Sequence, residues 1–204
     1  MTVLPATSTV TRHPHLLRAV ADSSDRVAWL QARSRGITAT DVARLSSARA
    51  MQSVADDKLY GSSFRGNAYT DHGTAREPVI AEWVRREHGI LPSETLFHAE
   101  REKRHLATPD GLQVAADGSL VLSEIKTTSK PWRSIPRGYL RQVWWQQYVL
   151  GAERTLVVWE EHRDFVPVGA EPRYRWVDRD DNEIHQLLGR ANQLINLLAQ
   201  LTAR

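Results

Sequence analysis

The clearest pattern in this chain is a stripe of apolar residues at helical spacing near its C-terminus. It takes in Ile184, Leu187, Ala191, Leu194, Leu198 and Leu201 and predicts a helix over 180–202. The same spacing predicts helices over 25–32, with Val27, Trp29 and Leu30 as the apolar side, over 74–88, and over 139–150. A short helical piece is expected near 15–21. Another helix should begin at Thr38, which can cap it with Asp41 at the third helical position. Gly89 and Pro92 stop one helix and Gly151 stops another.

Period-two and compact apolar runs predict strands joined by turns over 95–126, with Asp117-Gly118 as a hairpin signal. Further strands are expected at 155–159, 165–168 and 174–177. Residues 56–73 hold Gly61, Gly66 and Gly73 among Ser, Asn and Asp, and predict a long mobile loop. Helices, sheet, helix, sheet and helix in that order give an α/β (α+β) fold. Residues 1–24 read as an arm and 25–204 as one domain.

Composition narrows the function. A length of 204 residues with 41% hydrophobic suits one domain with its own core. No apolar run approaches the roughly 18 residues of a membrane span. Pro5, Thr7 and Arg12 interrupt what would be a secretory signal, so the expected location is the cytoplasm. The absence of cysteine excludes disulfides, thiolate zinc sites, iron–sulfur clusters and a thiol nucleophile. Any metal must be held by oxygen or imidazole. The eight histidines lack ligand spacing, and only His105 is close enough in sequence to the acidic motif below for a supporting role.

The net charge of +3 says little, but its distribution says more. Lys126, Lys130, Arg133, Arg137 and Arg141 fall in one stretch without an acid, interleaved with Trp132 and Tyr139. Such a track suits a phosphate backbone, although a solvated face would look the same.

The chemistry sits just ahead of that track. Thr108-Pro-Asp110-Gly111 is followed, past a hairpin, by Glu124-Ile125-Lys126. On a strand Glu124 and Lys126 share a face while Ile125 points the other way. A hairpin returns Asp110 beside them. Hard carboxylate oxygens suit Mg²⁺, with Mn²⁺ able to replace it, and the ammonium suits charge developing on a phosphoryl group. The main-chain oxygen of Ile125 can complete such a site. Glu-x-Lys alone is a common surface pair and Pro-Asp-Gly alone a common turn; their conjunction carries the signal.

These segments resemble the PD-(D/E)XK nuclease superfamily, with a restriction-endonuclease-like core of a central mixed sheet flanked by helices. More narrowly they resemble its YqaJ-like viral recombinase family, which includes the lambda-type exonucleases. The likeness runs from about Trp29 to Glu161 through Gly36–Asp41, His72–Pro78, Ala107–Gly111, Ser123–Lys126, Tyr139–Val143 and Gly151–Arg154.

The resemblance implies further roles. Glu77 corresponds to an acidic residue supplied to the metal site from the preceding helix; Thr74-x-x-Glu77 also reads as a capping box. Gln142 corresponds to a glutamine that positions the lysine and the DNA end. Thr40 and Thr108 stand where relatives place hydroxyls near the terminal phosphate, and Arg33 is near a phosphate-gripping arginine. A second glutamine expected two residues past Gln142 is replaced by Trp144.

The implied activity is a metal-dependent exonuclease working 5′→3′ on linear double-stranded DNA and leaving 3′ tails for phage-type recombination. A homotrimer and a single-strand annealing partner are implied with it. An endonuclease of restriction or repair, or a non-catalytic DNA-binding scaffold on the same fold, are the alternatives.

Overall fold

The computed structural model describes residues 13–62 and 64–203. Two sheets divide the strands. The larger runs in the order β10-β8-β7-β6-β3, with β9 hydrogen-bonded to β8 as a hairpin arm; the smaller runs β1-β4-β5-β2. In the larger sheet these are β3 (Leu91–Pro92), β6 (Gly111–Val114), β7 (Leu120–Thr128), β8 (Arg154–Arg163), β9 (Val166–Pro167) and β10 (Arg173–Asp178). The smaller one holds β1 (Ala19–Asp22), β2 (Ile37–Thr38), β4 (Thr95–His98) and β5 (His105–Ala107). The mixed α/β architecture expected from the pattern is the one observed.

The central pair is β7 and β8, parallel from Val121↔Arg154 to Thr128↔Glu161. Parallel neighbours need a crossover, and here it is α5 (Arg137–Leu150). Helix α5 packs between the two sheets. The Trp145 indole N–H donates to the Leu106 carbonyl of β5 at 3.0 Å, while Val143, Trp144 and Val149 join one core with Leu120 and Leu122 of β7. The opposite face of β7 packs Val121 and Ile125 against Ile80, Ala81 and Val84 of α4 (Ala68–His88). Helix α6 (Asp181–Thr202) closes the first core with Ile184, Leu187, Ala191 and Leu194, the stripe read from the sequence.

Helix starts and stops follow the local chemistry. Thr38 and Asp41 form a reciprocal capping box on α2 (Ala39–Arg44). Asp25 caps α1 (Arg26–Ser34). Gly89 and Gly151 take left-handed backbone at the ends of α4 and α5. Gly118, also at positive φ, turns the hairpin whose Asp117 carboxylate accepts from the Ser119 N–H and hydroxyl.

Three expectations need correction. The long loop at 56–73 does not exist: α3 (Ala48–Tyr60) runs into it from one side, and α4 begins at Ala68 from the other. Asn67 makes this possible, because its side-chain oxygen accepts from the N–H groups of Tyr69 and Thr70. Secondly, the helical piece at 15–21 is a short 3-10 turn over Pro14–Arg18 followed by strand β1. β1 pairs with β4, and Arg18 donates to the carbonyls of His98, Val149 and Leu150. The described part of the arm is therefore tied to the fold, while residues 1–12 lie outside the described residues. Thirdly, α1 buries none of its residues, and its apolar Val27 and Leu30 are exposed by 67% and 48%.

His105 belongs to the core. Its Nδ1 lies 3.0 Å from the Tyr148 hydroxyl, and its ring meets Trp145 edge-on at 4.7 Å. Burial pushes its pKa down to about 4, with Glu102 pulling it up and Arg104 pushing it down. The folded chain thus keeps this imidazole neutral where the unfolded chain, with a pKa near 6.5, takes up a proton. That stability is fully present above pH 6.5 and is lost as pH falls towards 4, on the order of 3 kcal/mol over the whole window. We expect His105→Gln to be less stable at neutral pH but to lose less stability on acidification, as read by urea unfolding between pH 7 and 4.5. Equal pH slopes in the two chains would contradict this account.

Among the described residues, no helix is long and apolar enough to cross a membrane.

Candidate active site

The site is built where β7 passes the β5–β6 connection. Asp110 ends that connection, fixed by main-chain bonds from its N–H to the Ser123 carbonyl (3.2 Å) and from the Ser93 N–H to its own carbonyl (3.1 Å). Its carboxylate accepts from the Ile125 N–H at 2.6 Å. Gly111 permits this close seating, since a Cβ there would fall 2.3 Å from the Ser123 hydroxyl. The Pro-Asp-Gly turn thus locks onto the Ser123–Ile125 stretch of β7.

Alternation on β7 does the rest. Ile125 points into the α4 core, and Glu124 and Lys126 emerge on the other face, where the Lys126 ammonium donates to Glu124 Oε1. The Gln142 amide donates to that same oxygen. Glu124 Oε2 accepts from Gln146 Nε2 at 2.6 Å. Glu124 is 0% exposed, so this carboxylate is held entirely by donors from its own strand and from one face of α5.

The electrostatics show a site short of positive charge. Burial raises the pKa of Asp110 well above the usual carboxylate range, and Glu124 and Glu77 raise it further against the pull of Lys126 and the Ile125 N–H. Glu77 is raised too, first by desolvation and then by Glu124 and Glu94, with Lys126 opposing. Burial alone would lower the pKa of Lys126, but Glu124, then Asp110, hold it well above its ordinary value. Three acids surround one ammonium. A divalent cation is the group such a donor set lacks. Among the described residues no three carboxylates or imidazoles form a ready ligand cluster. Asp110, Glu124 and the Ile125 carbonyl, together with water, are the oxygens here that could hold such an ion.

A cleft of about 420 Å³ opens beside these groups, lined by Glu77, Ile125, Lys126, Thr40, Tyr139 and Gln142 among others. A neighbouring groove of about 620 Å³ shares Thr40, Tyr139 and Gln142 with it and continues past Lys130 and Trp132. Glu77 reaches the cleft from the interior of α4. Because that helix starts at Ala68, Thr74 is not its cap, and the capping-box reading of Glu77 is overturned.

The other sequence-derived residues are dispersed. Thr40 lines both hollows. The Thr108 hydroxyl is buried without a partner, and its carbonyl lies 3.4 Å from Gln146 Nε2. Arg33 sits on α1 over the Trp29 ring at 4.3 Å and feels the charge of Asp41, but it does not line either hollow. Lys130 and Arg133 are exposed on the loop after β7. Arg137 is paired with Glu183 at 2.5 Å and lies over Trp144, and Arg141 donates to the Ala43 carbonyl at 3.2 Å. Trp144 takes no part in the polar site; it is core. The second amide comes instead from Gln146, which the sequence reading passed over. Its signal was a glutamine one helical turn beyond Gln142, on a face shared with Val143, Val149 and Leu150.

Comparison with known proteins identifies the fold and the family. The chain is similar in fold to the alkaline exonuclease LHK-Exo from Laribacter hongkongensis, at 22% identity and a TM-score of 0.66, with 84% of this chain and 92% of that one covered. The same enzyme in complex with dAMP gives 23% identity and a TM-score of 0.67 over the same shares. A phage-related exonuclease from Haemophilus somnus 129PT gives 13% identity and a TM-score of 0.63 over 82% of this chain and 95% of that one. No protein of curated function matches. The fold is thus that of the PD-(D/E)XK exonucleases. The pattern of the YqaJ-like viral recombinase domain matches residues 28–153, more than half of the chain and all of the site just described, and the protein belongs to that family.

Proposed function

We propose that this protein is a Mg²⁺-dependent deoxyribonuclease that degrades one strand of linear duplex DNA from its 5′ end and leaves 3′ single-stranded tails for recombination. The observation that carries this reading is the gathering of Asp110, Glu124 and Lys126 around β7, with acid in excess over base and Lys126 and Glu77 opening onto the adjacent cleft. A bound divalent ion, Mg²⁺ or Mn²⁺, would supply a water acidic enough to attack at neutral pH and would offset charge on the phosphoryl oxygens.

The protein's own groups do the remaining work. Asp110 and Glu124 would supply oxygens to such an ion, and Glu77, which lines the adjoining cleft, would hold its waters or a second ion. Lys126, anchored on Glu124, orients the attacking water and offsets transition-state charge. Gln142 shares the Glu124 oxygen used by Lys126 and so positions the ammonium through that carboxylate. Thr40, with Lys130 and Arg133 on the exposed loop, is placed to contact backbone phosphates near the cleft. Arg33, Arg137 and Arg141 would engage DNA only by leaving the Trp29 ring, Glu183 and the Ala43 carbonyl, and Thr108 only if its buried hydroxyl, unpaired here, became accessible. The unburied apolar side of α1 supports assembly with further copies, for which a homotrimer is proposed. The tails produced would be the substrate of a single-strand annealing protein.

A time course on linear duplex labelled at one 5′ or one 3′ end tests the reading. We expect early release of the 5′ label, late release of the 3′ label, no digestion with chelator, and an intact covalently closed circle. Cutting of the circle would identify an endonuclease. No digestion with any divalent ion would identify a non-catalytic binder.

A further inference from the structure

We propose that Gln146 is a positioning residue that sets the ion affinity of the site by holding Glu124 and the Asp110 loop in fixed relation. The inference rests on the nuclease reading above. Gln146 is 0% exposed in the middle of α5, one turn beyond Gln142 and on the same face as the buried Val143, Val149 and Leu150. A buried amide among such neighbours is costly unless it is paired. Among the described residues its Nε2 is the only side-chain donor within hydrogen-bond distance of Glu124 Oε2, at 2.6 Å, and it also lies 3.4 Å from the carbonyl of Thr108, two residues before Asp110. One helix side chain therefore bridges the loop that carries one carboxylate and the strand that carries the other.

The division of labour between the two glutamines is uneven. Glu124 Oε1 has two donors, Lys126 and Gln142, and keeps one if either is removed. Oε2 has Gln146 alone, so its loss leaves one oxygen of a fully buried carboxylate unpaired and free to turn. Groups that orient metal ligands without touching the ion commonly change its affinity roughly 10- to 100-fold. The effect belongs on ion binding more than on the chemical step, because Lys126 keeps its place on Oε1.

Gln147, the next residue, is a built-in control. It is also fully buried, but its Nε2 donates to Thr155 Oγ1 at 3.1 Å and to the Val177 carbonyl at 2.9 Å, away from both carboxylates. Mn²⁺ binding to the full chain without DNA, followed by water-proton relaxation, reads the difference. Gln146→Met should weaken Mn²⁺ binding roughly 10- to 100-fold and raise the Mg²⁺ concentration for half-maximal digestion in proportion, with turnover at saturating ion less affected. Gln146→Asn, which keeps the amide but shortens its reach, should behave alike and serves if the first variant folds poorly. Gln147→Met should lower thermal stability and leave Mn²⁺ binding unchanged. If both Gln146 variants bind Mn²⁺ as tightly as the parent, or if Gln147→Met weakens binding as much, the inference is overturned while the nuclease reading stands. A parent chain that neither binds Mn²⁺ nor digests DNA overturns both.

Discussion

Lys126→Ala lowers the turnover number by about 10²- to 10³-fold or more, while duplex binding stays within a few-fold of the parent. The magnitude is that of removing one preorganised donor from a water-excluded transition state. Lys126 is the ammonium among Asp110, Glu124 and Glu77, and its elevated pKa keeps it charged throughout the working range. It donates to Glu124 and lies 5.4 Å from the centre of the Tyr139 ring, so little freedom is left to it. Because the contact matters in the transition state, turnover and kcat/KM should fall together, with no compensating change in KM. Rapid-quench digestion of end-labelled duplex, with a filter-binding assay for affinity, measures both quantities. Undiminished cleavage by the variant refutes the role given to Lys126.

The largest stability effect is expected at Trp145. This side chain is 0% exposed, meets His105 and Tyr148 at 4.7 and 5.3 Å, and donates to the Leu106 carbonyl. Truncation to alanine removes the indole, opens a cavity between α5 and β5, and leaves that carbonyl without its donor. A loss of about 3–5 kcal/mol follows, measured as the shift in urea midpoint at constant slope. A second readout follows from the architecture. α5 also carries Gln142 and Gln146, so loosening it at Trp145 should weaken ion binding before the chain unfolds. A loss under 1 kcal/mol, or full ion affinity in a strongly destabilised variant, would show that α5 is not the element coupling the core to the site.

Much of this was legible in the sequence because it is set by local rules. Alternation on β7 places Glu124 with Lys126 and Ile125 behind them, and no tertiary knowledge is needed to see it. The Thr38–Asp41 box, Gly89, Gly151 and the Asp117-Gly118 hairpin announce themselves by residue type. The misjudged stretch at 56–73 shows where local rules run out. Gly73 reads as part of the loop, yet it lies inside α4, as does Pro78, which the expected helix over 74–88 already contains. A Cβ at residue 73 would only just touch the Thr127 hydroxyl, at 3.4 Å, so the helix passes close to β7 there without requiring glycine. Pro78 lacks an N–H for the Thr74 carbonyl, a local cost that the packing of Ile80, Ala81 and Val84 outweighs. Gln146 was hidden for the complementary reason. Its partner oxygen belongs to a residue 22 positions away, and only the crossover from β7 to α5 brings the two together.

The central claim is that Asp110, Glu124 and the Ile125 main-chain oxygen share one divalent ion. Anomalous diffraction from crystals grown with Mn²⁺ tests it most directly. The account predicts a strong peak bounded by these three groups, lost in Asp110→Asn. Protein that digests DNA in Mn²⁺ solution but shows no peak there, or shows one only at other residues, would contradict it.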